Sequence, residues 1–384
     1  MITNDVKYIG VNDRKIDLFE GQYDVPNGMA YNSYLIIDDK IAVMDSVDAR
    51  FGEEWIDNIK KMLGDRMPDY LVVQHMEPDH SANIVGFMNE FPEAVIVASD
   101  RAFTFMKQFY GNDYADRRLV VKEGSTLSLG AHTLSFITAS MVHWPEVVMS
   151  YDSTDKVLFS ADAFGKFGAS DAREDWACEA RRYYFNIVGK YGVQVQNVLK
   201  KVSAFDVQTI CPLHGPVLTT DLGYYLGLYN TWSSYGVESE GVMIAFTSVY
   251  GNTKKAVELL AEELKKNGCP KVVVTDLARC DMSEAVEDAF RYGKIVFATT
   301  TYNSGVFPFM RTLLAELAER DYRNRTIGII ENGSWAPQAA KRIRETFEKN
   351  KDITFAENVV TIKSALTDEN CATIAALAKE LCGG

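Results

Sequence analysis

The sequence predicts two α/β domains: an αβ/βα layered sandwich over residues 1–240 and a doubly wound parallel sheet over residues 241–384. Three observations support this prediction. The chain has 384 residues, which suits two domains of ordinary size. Its first part alternates short strand-like runs with amphipathic segments, whereas strands and helices alternate regularly from residue 241. A polar, glycine-containing segment at 234–241 marks the boundary.

Short apolar runs predict the strands of the first region, and polar residues follow several of them. Residues 33–46 contain two such runs, and the turn at Asp38 and Asp39 between them predicts paired strands. The other predicted elements are strands at 69–74, 94–99, 147–153, 156–163 and 208–215, a meander of strands over 119–140, and helices at 51–64 and roughly 172–202. This pattern indicates a strand-rich domain with polar side chains at strand ends.

The second region has five apolar runs separated by amphipathic segments of helical length. The predicted strands are at 242–247, 271–277, 294–299, 326–331 and 357–362, and the predicted helices are at 253–267, 282–291, 308–319, 336–350 and 367–382. Strands that alternate with helices in this way form a parallel sheet covered on both faces. Such sheets bind ligands at the carboxyl ends of their strands.

Charge and cysteine content exclude several functional classes. Residues 241–384 contain 19 Lys and Arg and 19 Asp and Glu, so the net charge of -13 belongs entirely to the first 240 residues. Such a surface is a poor partner for nucleic acid. No run of eighteen apolar residues and no secretion signal is found, and the six cysteines lack a CxxC pair. We therefore expect a cytoplasmic protein with reduced thiols and without a membrane partner.

A dense group of polar residues, His75-Met76-Glu77-Pro78-Asp79-His80, follows the strand predicted at 69–74. If the segment stays extended, His75, Glu77 and Asp79 point the same way, and Pro78 favours this by keeping Glu77 out of the helical region. His80 then opens the next helix. Acidic side chains crowded at one strand end repel each other unless a cation is bound, which favours a metal site over a solvated turn.

Three later residues join this group. His143, Asp162 and His214 each lie at the end of a predicted strand. One histidine in such a place is usually structural, but the joint set offers seven nitrogen and oxygen donors, enough for two metal ions that share a carboxylate. His132, within a strand-like run, fits a structural role and is left out. The predicted metal ligands are His75, Glu77, Asp79, His80, His143, Asp162 and His214.

The second region contains a candidate phosphate loop between its first strand and first helix. Hydroxyls and backbone amides at a helix N-terminus hold a phosphate without a lysine, although ordinary helix capping also explains such residues. Neither a GxxxxGK[ST] nor a GxGxxG motif is present, which argues against a P-loop ATPase and against a dinucleotide site. Two further loops, 299–305 and 331–336, follow later strands and resemble the flavodoxin loops that flank a flavin ring, so FMN is favoured over NAD or FAD. The predicted cofactor residues are Thr247, Ser248, Val249, Tyr250, Gly251, Asn252, Thr253, Thr299, Thr300, Thr301, Tyr302, Asn303, Ser304, Gly305, Gly333, Ser334, Trp335 and Ala336.

The ordered metal set resembles the metallo-β-lactamase superfamily, whose HxHxDH motif is followed by His, Asp and His. Here Glu77 replaces the second histidine, and HxExDH is the pattern of flavodiiron proteins, also called A-type flavoproteins. The segments 31–35 (YNSYL) and 143–145 (HWP) extend the resemblance over essentially the whole chain. It implies a metallo-β-lactamase-like diiron domain over 1–240 and a flavodoxin-like FMN domain over 241–384.

The resemblance also implies roles for individual residues. One iron ion is expected at His75, Glu77 and His143, the other at Asp79, His80 and His214, and Asp162 is expected to bridge them. No separate catalytic acid or base is assigned. Tyr302 or Trp335 is expected to flank the flavin ring, with Asn303 and Gly305 at its polar edge. Asn27 stands where several members of the family have a histidine.

The expected function is reduction of dioxygen to water, with nitric oxide reduction to nitrous oxide as the alternative. Electrons are expected to reach the iron ions through FMN from an external donor, rubredoxin or a reduced deazaflavin. The resemblance implies a head-to-tail homodimer or a dimer of dimers. Two other functions stay open at this point: a zinc hydrolase with a flavodoxin appendage, and an electron-transfer module with a vestigial metal domain.

Overall fold

The structure is a computed structural model that describes residues 2–383. The chain forms two compact units. Unit 1 contains the residues up to Tyr184 together with Tyr191–Ser233, and unit 2 contains Phe185–Lys190 and the residues from Ser234 onward. The assignment of residues 1–240 to diiron binding and of 241–384 to FMN binding stays a prediction. Within the described residues, no helix has the length and hydropathy needed to cross a membrane.

Unit 1 contains two mixed sheets with helices around them. Its strands are β1 (Val6–Tyr8), β2 (Val11–Asp13), β3 (Leu18–Phe19), β4 (Tyr23–Asp24), β5 (Met29–Tyr31), β6 (Tyr34–Ile37), β7 (Ile41–Met44), β8 (Tyr70–Val73), β9 (Val95–Ser99), β10 (Arg118–Val121), β11 (Thr126–Ser128), β12 (Thr133–Thr138), β13 (Val148–Asp152), β14 (Val157–Phe159) and β15 (Thr209–Cys211). Its helices are α1 (Gly52–Leu63), α2 (Pro78–Ser81), α3 (Ile84–Glu90), α4 (Asp100–Tyr110), α5 (Trp176–Tyr183), α6 (Gly192–Val202) and α7 (Leu222–Ser233).

The first sheet has the order β1-β6-β7-β8-β9-β10 and the second the order β11-β12-β13-β14-β15. Buried apolar side chains from both sheets form one core, which includes Val6, Tyr34, Met44, Val72, Val97, Leu134, Phe136, Val148, Phe159 and Cys211. This two-layer arrangement confirms the predicted αβ/βα sandwich. Most of the predicted metal ligands follow the ends of β8, β14 and β15, and His143 lies between β12 and β13.

Unit 2 is a parallel sheet with helices on its faces. Its elements are β16 (Ser239–Phe246), α8 (Asn252–Lys266), β17 (Val272–Asp276), α9 (Met282–Arg291), β18 (Tyr292–Tyr302), β19 (Gly305–Val306), α10 (Pro308–Glu319), β20 (Arg325–Asn332), α11 (Ala339–Thr346), β21 (Ile353–Phe355), β22 (Val360–Ile362) and α12 (Asp368–Cys382). The order β17-β16-β18-β20-β21, with β22 also paired to β20, confirms the predicted doubly wound sheet.

Several predicted elements differ from the observed ones. The helix predicted over 172–202 is broken: α5 begins only after Asp175, whose carboxylate accepts a bond from the Ala177 amide (3.2 Å), and a π-helical turn over 184–188 and a 3-10 turn over 189–191 separate it from α6. Gly189 and Gly192, weak helix formers, lie at this break. The meander predicted over 119–140 is divided, because β10 pairs with β9 in the first sheet while β11 and β12 form a hairpin in the second.

The helix predicted over 336–350 is the shorter α11. Its start is fixed by Thr301, whose hydroxyl oxygen accepts bonds from the Gln338 amide (2.9 Å) and the Ala339 amide (3.3 Å). The fifth strand of the parallel sheet is divided into β21 and β22, since both pair with β20 at different positions. Helix α7 and the short strands before residue 33 were not predicted from the sequence.

Candidate metal centre and flavin site

The metal motif begins where the buried strand β8 ends. The backbone stays extended only to Glu77 (φ -58°, ψ 138°), as expected for a residue before proline. Pro78 then starts α2, so the prediction that the segment stays extended through Asp79 is wrong: Asp79 and His80 both lie in this helical turn. A proline at the first helical position explains the early turn, because its fixed φ suits a helix start.

The structure brings all seven predicted metal ligands together in two groups, each with its ligand atoms within 4.8 Å of one another. One group contains His75, Glu77, His143 and Asp162, and the other contains Asp79, His80 and His214. His75, His80 and His214 are buried, and Glu77 and Asp79 are partly exposed. Strand ends that are far apart in sequence therefore deliver one mixed imidazole and carboxylate cluster.

Asp162 lies between the two groups. Its Oδ2 atom is 3.1 Å from His143 Nε2 and 3.3 Å from His75 Nε2. Its Oδ1 atom is 3.4 Å from His80 Nε2 and 3.8 Å from His214 Nε2. Each carboxylate oxygen thus faces a different pair of imidazoles, which is the geometry of a carboxylate that bridges two cations.

Hydrogen bonds behind the cluster fix the orientation of two imidazoles. Glu146 Oε1 lies 2.8 Å from His75 Nδ1, and because a carboxylate only accepts, the imidazole donates here. His214 Nδ1 donates to the Ala30 carbonyl at 2.7 Å. In both rings the Nε2 lone pair is therefore directed at the cluster, as is usual for metal-binding histidines. The sequence prediction missed Glu146; its position just after His143-Trp144-Pro145 was the available signal.

A second buried carboxylate, Asp45, holds the end of β8. Its oxygens accept bonds from the Gln74 amide (2.7 Å), the Gln74 side chain (3.1 Å) and the His75 amide (3.3 Å). Burial raises the pKa of Asp45 to about 6, against the opposing charge of His80 and these bonds. Asp45 was also missed, since it lies 30 residues before His75 and no local motif marks it.

The cluster contains buried polar atoms without hydrogen-bond partners. Among the described residues, both carboxylate oxygens of Asp79, both of Asp162 and the Nδ1 atom of His80 make no hydrogen bond. His80 Nε2 and His214 Nε2 face each other at 3.0 Å. Buried carboxylates are costly unless they are paired or coordinate a metal. These donors therefore fit two cations that share Asp162.

The electrostatics of the cluster favour positive charge at its centre. Burial alone would lower the pKa of the His143 imidazole. Its contacts with Asp162 and Glu77 outweigh this effect and raise the pKa to about 9. Burial raises the pKa of the Asp162 carboxyl, but the charge of His75 and contacts with the other imidazoles hold it well below its usual range. The carboxylates thus favour a proton or a metal cation at the imidazoles.

Aromatic side chains form one wall of the cluster. The rings of Phe19, Tyr31 and Tyr183 lie 5.3, 6.0 and 5.5 Å from the His214 ring, centre to centre. All three side chains are buried. This wall lowers the local dielectric constant, which strengthens every charge interaction in the site.

A cavity of about 550 Å³ lies at the carboxyl edge of the parallel sheet in unit 2. Loops after β16, β18 and β20 enclose it, and no lysine or arginine is among its lining residues. Of the predicted cofactor residues, the cavity is lined by Ser248, Val249, Tyr250, Asn252, Thr253, Thr300, Thr301, Tyr302, Asn303, Ser304, Gly333, Ser334, Trp335 and Ala336. The lining also includes Asn332, Gln338 and Ser364, which were not predicted.

Four predicted residues are not part of the lining. Thr247 and Thr299 are buried beneath the cavity, where their hydroxyls bond each other at 2.7 Å and tie β16 to β18. Gly251 has φ 90° and ends the loop before α8, a conformation that favours glycine. Gly305 lines a neighbouring cleft instead.

The cavity fits a flat aromatic ligand that carries a phosphate. Tyr250 and Trp335 at its rim are 93% and 92% exposed, so their rings are free to cover a ligand. At Gly333 a Cβ atom would lie 2.8 Å from the Pro337 Cα, so only glycine allows the backbone to turn this closely beside the cavity. Hydroxyls and the N-terminus of α8 provide neutral donors for a phosphate.

Comparison with known proteins agrees with both units. Residues 29–215 match the family described as ODP family beta lactamase, and residues 243–361 match the family described as Flavodoxin domain. The fold and the site thus define a class: a metallo-β-lactamase-like domain with a histidine and carboxylate cluster, combined with a flavodoxin-like domain. The chain belongs to the flavodiiron protein family.

Three similar proteins illustrate this membership. The structure is similar to rubredoxin oxygen:oxidoreductase from Desulfovibrio gigas (TM-score 0.91, 25% identity, covering 100% of this chain and 97% of that one). It is also similar to the flavodiiron protein from Giardia intestinalis (TM-score 0.93, 25% identity, 99% and 95%). A nitric oxide reductase from Moorella thermoacetica is 29% identical over 373 residues, which cover 94% of this chain and 92% of that protein.

Proposed function

We propose that this protein reduces dioxygen to water at two iron ions, with electrons that pass through FMN from an external donor. The observation that carries the proposal is Asp162, whose two oxygens face two different pairs of imidazoles at 3.1–3.8 Å. One iron ion would be held by His75, Glu77 and His143 and the other by Asp79, His80 and His214, with Asp162 shared.

The donor set supports iron over zinc. It contains four imidazoles and three carboxylates and no sulfur. Glu77 supplies an anionic, harder donor where a hydrolytic zinc pair has an imidazole, and hard oxygen donors with imidazoles suit iron. When bound, the iron pair and the flavin would supply the redox chemistry that no side chain of this chain has.

The chain itself would orient the ligands and keep water out. Glu146 and the Ala30 carbonyl hold the His75 and His214 rings so that Nε2 stays available. Asp45 fixes the backbone of His75. The aromatic wall of Phe19, Tyr31 and Tyr183 limits the dielectric constant near the cluster.

The flavin would occupy the cavity of unit 2. Ser248 and the amides at the start of α8 would hold its phosphate, and Tyr302 and Trp335 would flank its ring system. Asn303 and the backbone around Gly333 would contact its polar edge. The absence of lysine and arginine from this lining is compatible with phosphate binding by backbone amides and hydroxyls.

Nitric oxide reduction to nitrous oxide is the second candidate, because the Moorella thermoacetica relative is named a nitric oxide reductase. The Desulfovibrio gigas protein is named for oxygen instead. Dioxygen needs four electrons and four protons to give two waters, whereas two nitric oxide molecules need two of each to give nitrous oxide and one water. The same ligand set would serve both reactions, and the number of donor electrons consumed per gas molecule distinguishes them.

Rubredoxin is the proposed donor, since the name of the Desulfovibrio gigas protein includes it, and a reduced deazaflavin is the alternative. The proposed assembly is a head-to-tail homodimer or a dimer of dimers, and the proposed location is the cytoplasm. Light scattering coupled to gel filtration tests the assembly. A monomer at working concentration would contradict it.

The function is tested by consumption of each gas under matched conditions. The iron- and FMN-loaded protein is supplied with reduced rubredoxin and then with dioxygen or nitric oxide, and the gas and donor are followed together. We expect four donor electrons per dioxygen, or one per nitric oxide. Donor oxidation without gas consumption would instead favour an electron-transfer module, and two zinc ions without iron would favour a hydrolase.

A further inference from the structure

A second histidine and carboxylate cluster lies in unit 1, separate from the seven-residue metal centre. It contains His132, Asp5 and Asp155, whose ligand atoms lie within 4.8 Å of one another. Three distant segments meet here: Asp5 precedes β1, His132 lies between β11 and β12, and Asp155 lies in the turn before β14. The cluster therefore joins the edge of the first sheet to the second sheet.

His132 is oriented in the manner of a metal ligand. The side chain is 2% exposed, and its Nδ1 atom lies 2.9 Å from Asp152 Oδ2, a fully buried carboxylate oxygen. Because the carboxylate accepts, Nδ1 carries the proton, and the Nε2 atom of the neutral ring keeps its lone pair. A carboxylate behind the imidazole is the usual partner of a metal-binding histidine.

The Nε2 atom of His132 lies near the Asp5 carboxylate, and the Asp155 carboxylate completes the group within 4.8 Å. Asp5 Oδ2 is 3.5 Å away, longer than the 2.7–2.9 Å typical of charged hydrogen bonds. Asp155 is held in place from the other side, since the Thr3 hydroxyl donates to its Oδ2 atom. A buried imidazole and two carboxylates are thus gathered within 4.8 Å, and the His132–Asp5 contact is longer than a charged hydrogen bond.

Negative charge exceeds positive charge around this space. Within residues 2–383, no lysine or arginine nitrogen lies within 4.0 Å of the Asp5, Asp152 or Asp155 carboxylates. The nearby Lys7 ammonium group donates to the Asn4 carbonyl at 2.6 Å. Three aspartates surround His132, so negative charge still exceeds positive charge when the imidazole is protonated. A divalent cation would offset this excess.

We propose that Asp5, His132 and Asp155 form a further metal site that binds a divalent first-row cation of the Zn²⁺ class. One imidazole and two carboxylates are ligands that Zn²⁺ accepts, with water in the remaining position. The Asp5 side chain is 52% exposed, so it has room to reorient toward an ion. The bound ion links the N-terminal segment before β1 to the turns of the second sheet.

The test uses the iron- and FMN-loaded protein, with Zn²⁺ as the probe and calorimetry and elemental analysis as readouts. The test variant is Asp5→Asn/Asp155→Asn, which removes two carboxylate ligands and leaves the buried His132–Asp152 pair intact. The control is Asp39→Asn, which also removes an exposed charge near this end of the unit but no ligand. We expect one Zn²⁺ per chain beyond the iron in the native protein and the control, and none in the double variant.

A second readout is the thermal unfolding midpoint, which Zn²⁺ should raise in the native protein and the control but not in the double variant. Equal Zn²⁺ uptake by all three proteins would overturn the proposal and leave His132 as a protonated ion-pair partner. Iron content is measured in the same samples, so a failure of the two-iron proposal is recognised separately from a failure of this site.

Discussion

The proposed metal centre of unit 1 and the proposed flavin cavity of unit 2 differ in burial and in charge. The metal centre is charged, largely buried and made of seven side chains, and among the described residues the carboxylate oxygens of Asp79 and Asp162 make no hydrogen bond. The cavity is open and its lining has no lysine or arginine, with backbone turns, hydroxyls and two highly exposed aromatic rings. Ligand binding at the first site therefore depends on charge, and ligand binding at the second depends on the shape of the cavity.

This difference predicts how each site responds to mutation. A buried carboxylate or imidazole that loses its partner leaves others unpaired, so one substitution should damage the whole metal centre. Binding in the cavity is distributed over many neutral contacts, each worth a fraction of the total. Substitutions there should therefore lower the affinity for FMN in small steps and leave iron in place.

The largest effect is expected for Asp162→Ala. Loss of the shared carboxylate should reduce bound iron and lower the rate of gas reduction by more than about 100-fold. This exceeds the loss of about 10–100-fold that is typical when a residue hydrogen-bonded to a metal ligand is replaced. FMN content should stay unchanged, as measured by flavin absorbance after gel filtration. Asp206→Ala is the control, because this aspartate is 67% exposed and pairs with Lys156 on the surface, away from the cluster. Retained activity in Asp162→Ala would contradict the bridging role.

A smaller effect in the same site is expected for Glu146→Gln. In the native protein, Glu146 Oε1 accepts hydrogen bonds from His75 Nδ1 and from the Met76 backbone amide, both at 2.8 Å. The glutamine side chain has no negative charge to strengthen these bonds. Iron affinity should fall by about 10–100-fold, as for other residues that hydrogen-bond to a metal-binding histidine. Competition with a chelator measures this affinity. If iron affinity is unchanged while the fold is intact, the orientation of His75 does not depend on Glu146.

In the flavin cavity the largest expected effect is that of Gly333→Ala. The added methyl group would lie 2.8 Å from the Pro337 Cα and 3.1 Å from the Pro337 nitrogen, so the loop must shift. A strain of about 1–3 kcal/mol should weaken FMN binding by about 10-fold while iron content stays the same. Fluorescence titration of the flavin-free protein measures the Kd. Gly223→Ala, which has open space at its Cβ position, should leave the Kd unchanged.

The smallest effect is expected for Trp335→Ala. Its ring is 92% exposed, so the free energy of unfolding of the flavin-free protein should not change. A stacking contact contributes about 0.5–1.5 kcal/mol to binding, so its loss should raise the Kd for FMN by about 2- to 10-fold. The same titration on Tyr224→Ala, which removes an exposed ring in unit 1, is the control. An unchanged Kd in Trp335→Ala would exclude stacking of this ring on the flavin.

The comparison also explains which features were predictable from the sequence. Side chains at strand ends are visible as polar residues after apolar runs, so the ligand types of the metal centre and the loops after β16, β18 and β20 were predicted. Glu146, Asp45 and the Ala30 carbonyl were not, because they act on His75 and His214 through the fold and not through spacing in the sequence. Ser364 follows β22 at the same sheet edge and was also missed, because the polar residues after β22 resemble those of any surface turn.

Local errors have a similar origin. Hydrophobic periodicity alone did not distinguish α5 from α6, since the break between them depends on two glycines and a π-helical turn. The helix at Pro78 was missed because the motif was treated as extended up to its last aspartate. These errors did not change the ligand set, since a helical turn still brings Asp79 and His80 to the cluster.

The central claim is that Asp162 is shared by two iron ions in a protein that also binds FMN. Anaerobic purification followed by elemental analysis and flavin quantification tests it most directly. We expect two iron ions and one FMN per chain, with iron lost and FMN kept in Asp162→Ala. A native protein that takes up two zinc ions in preference to iron, or that binds no flavin after reconstitution, would contradict it.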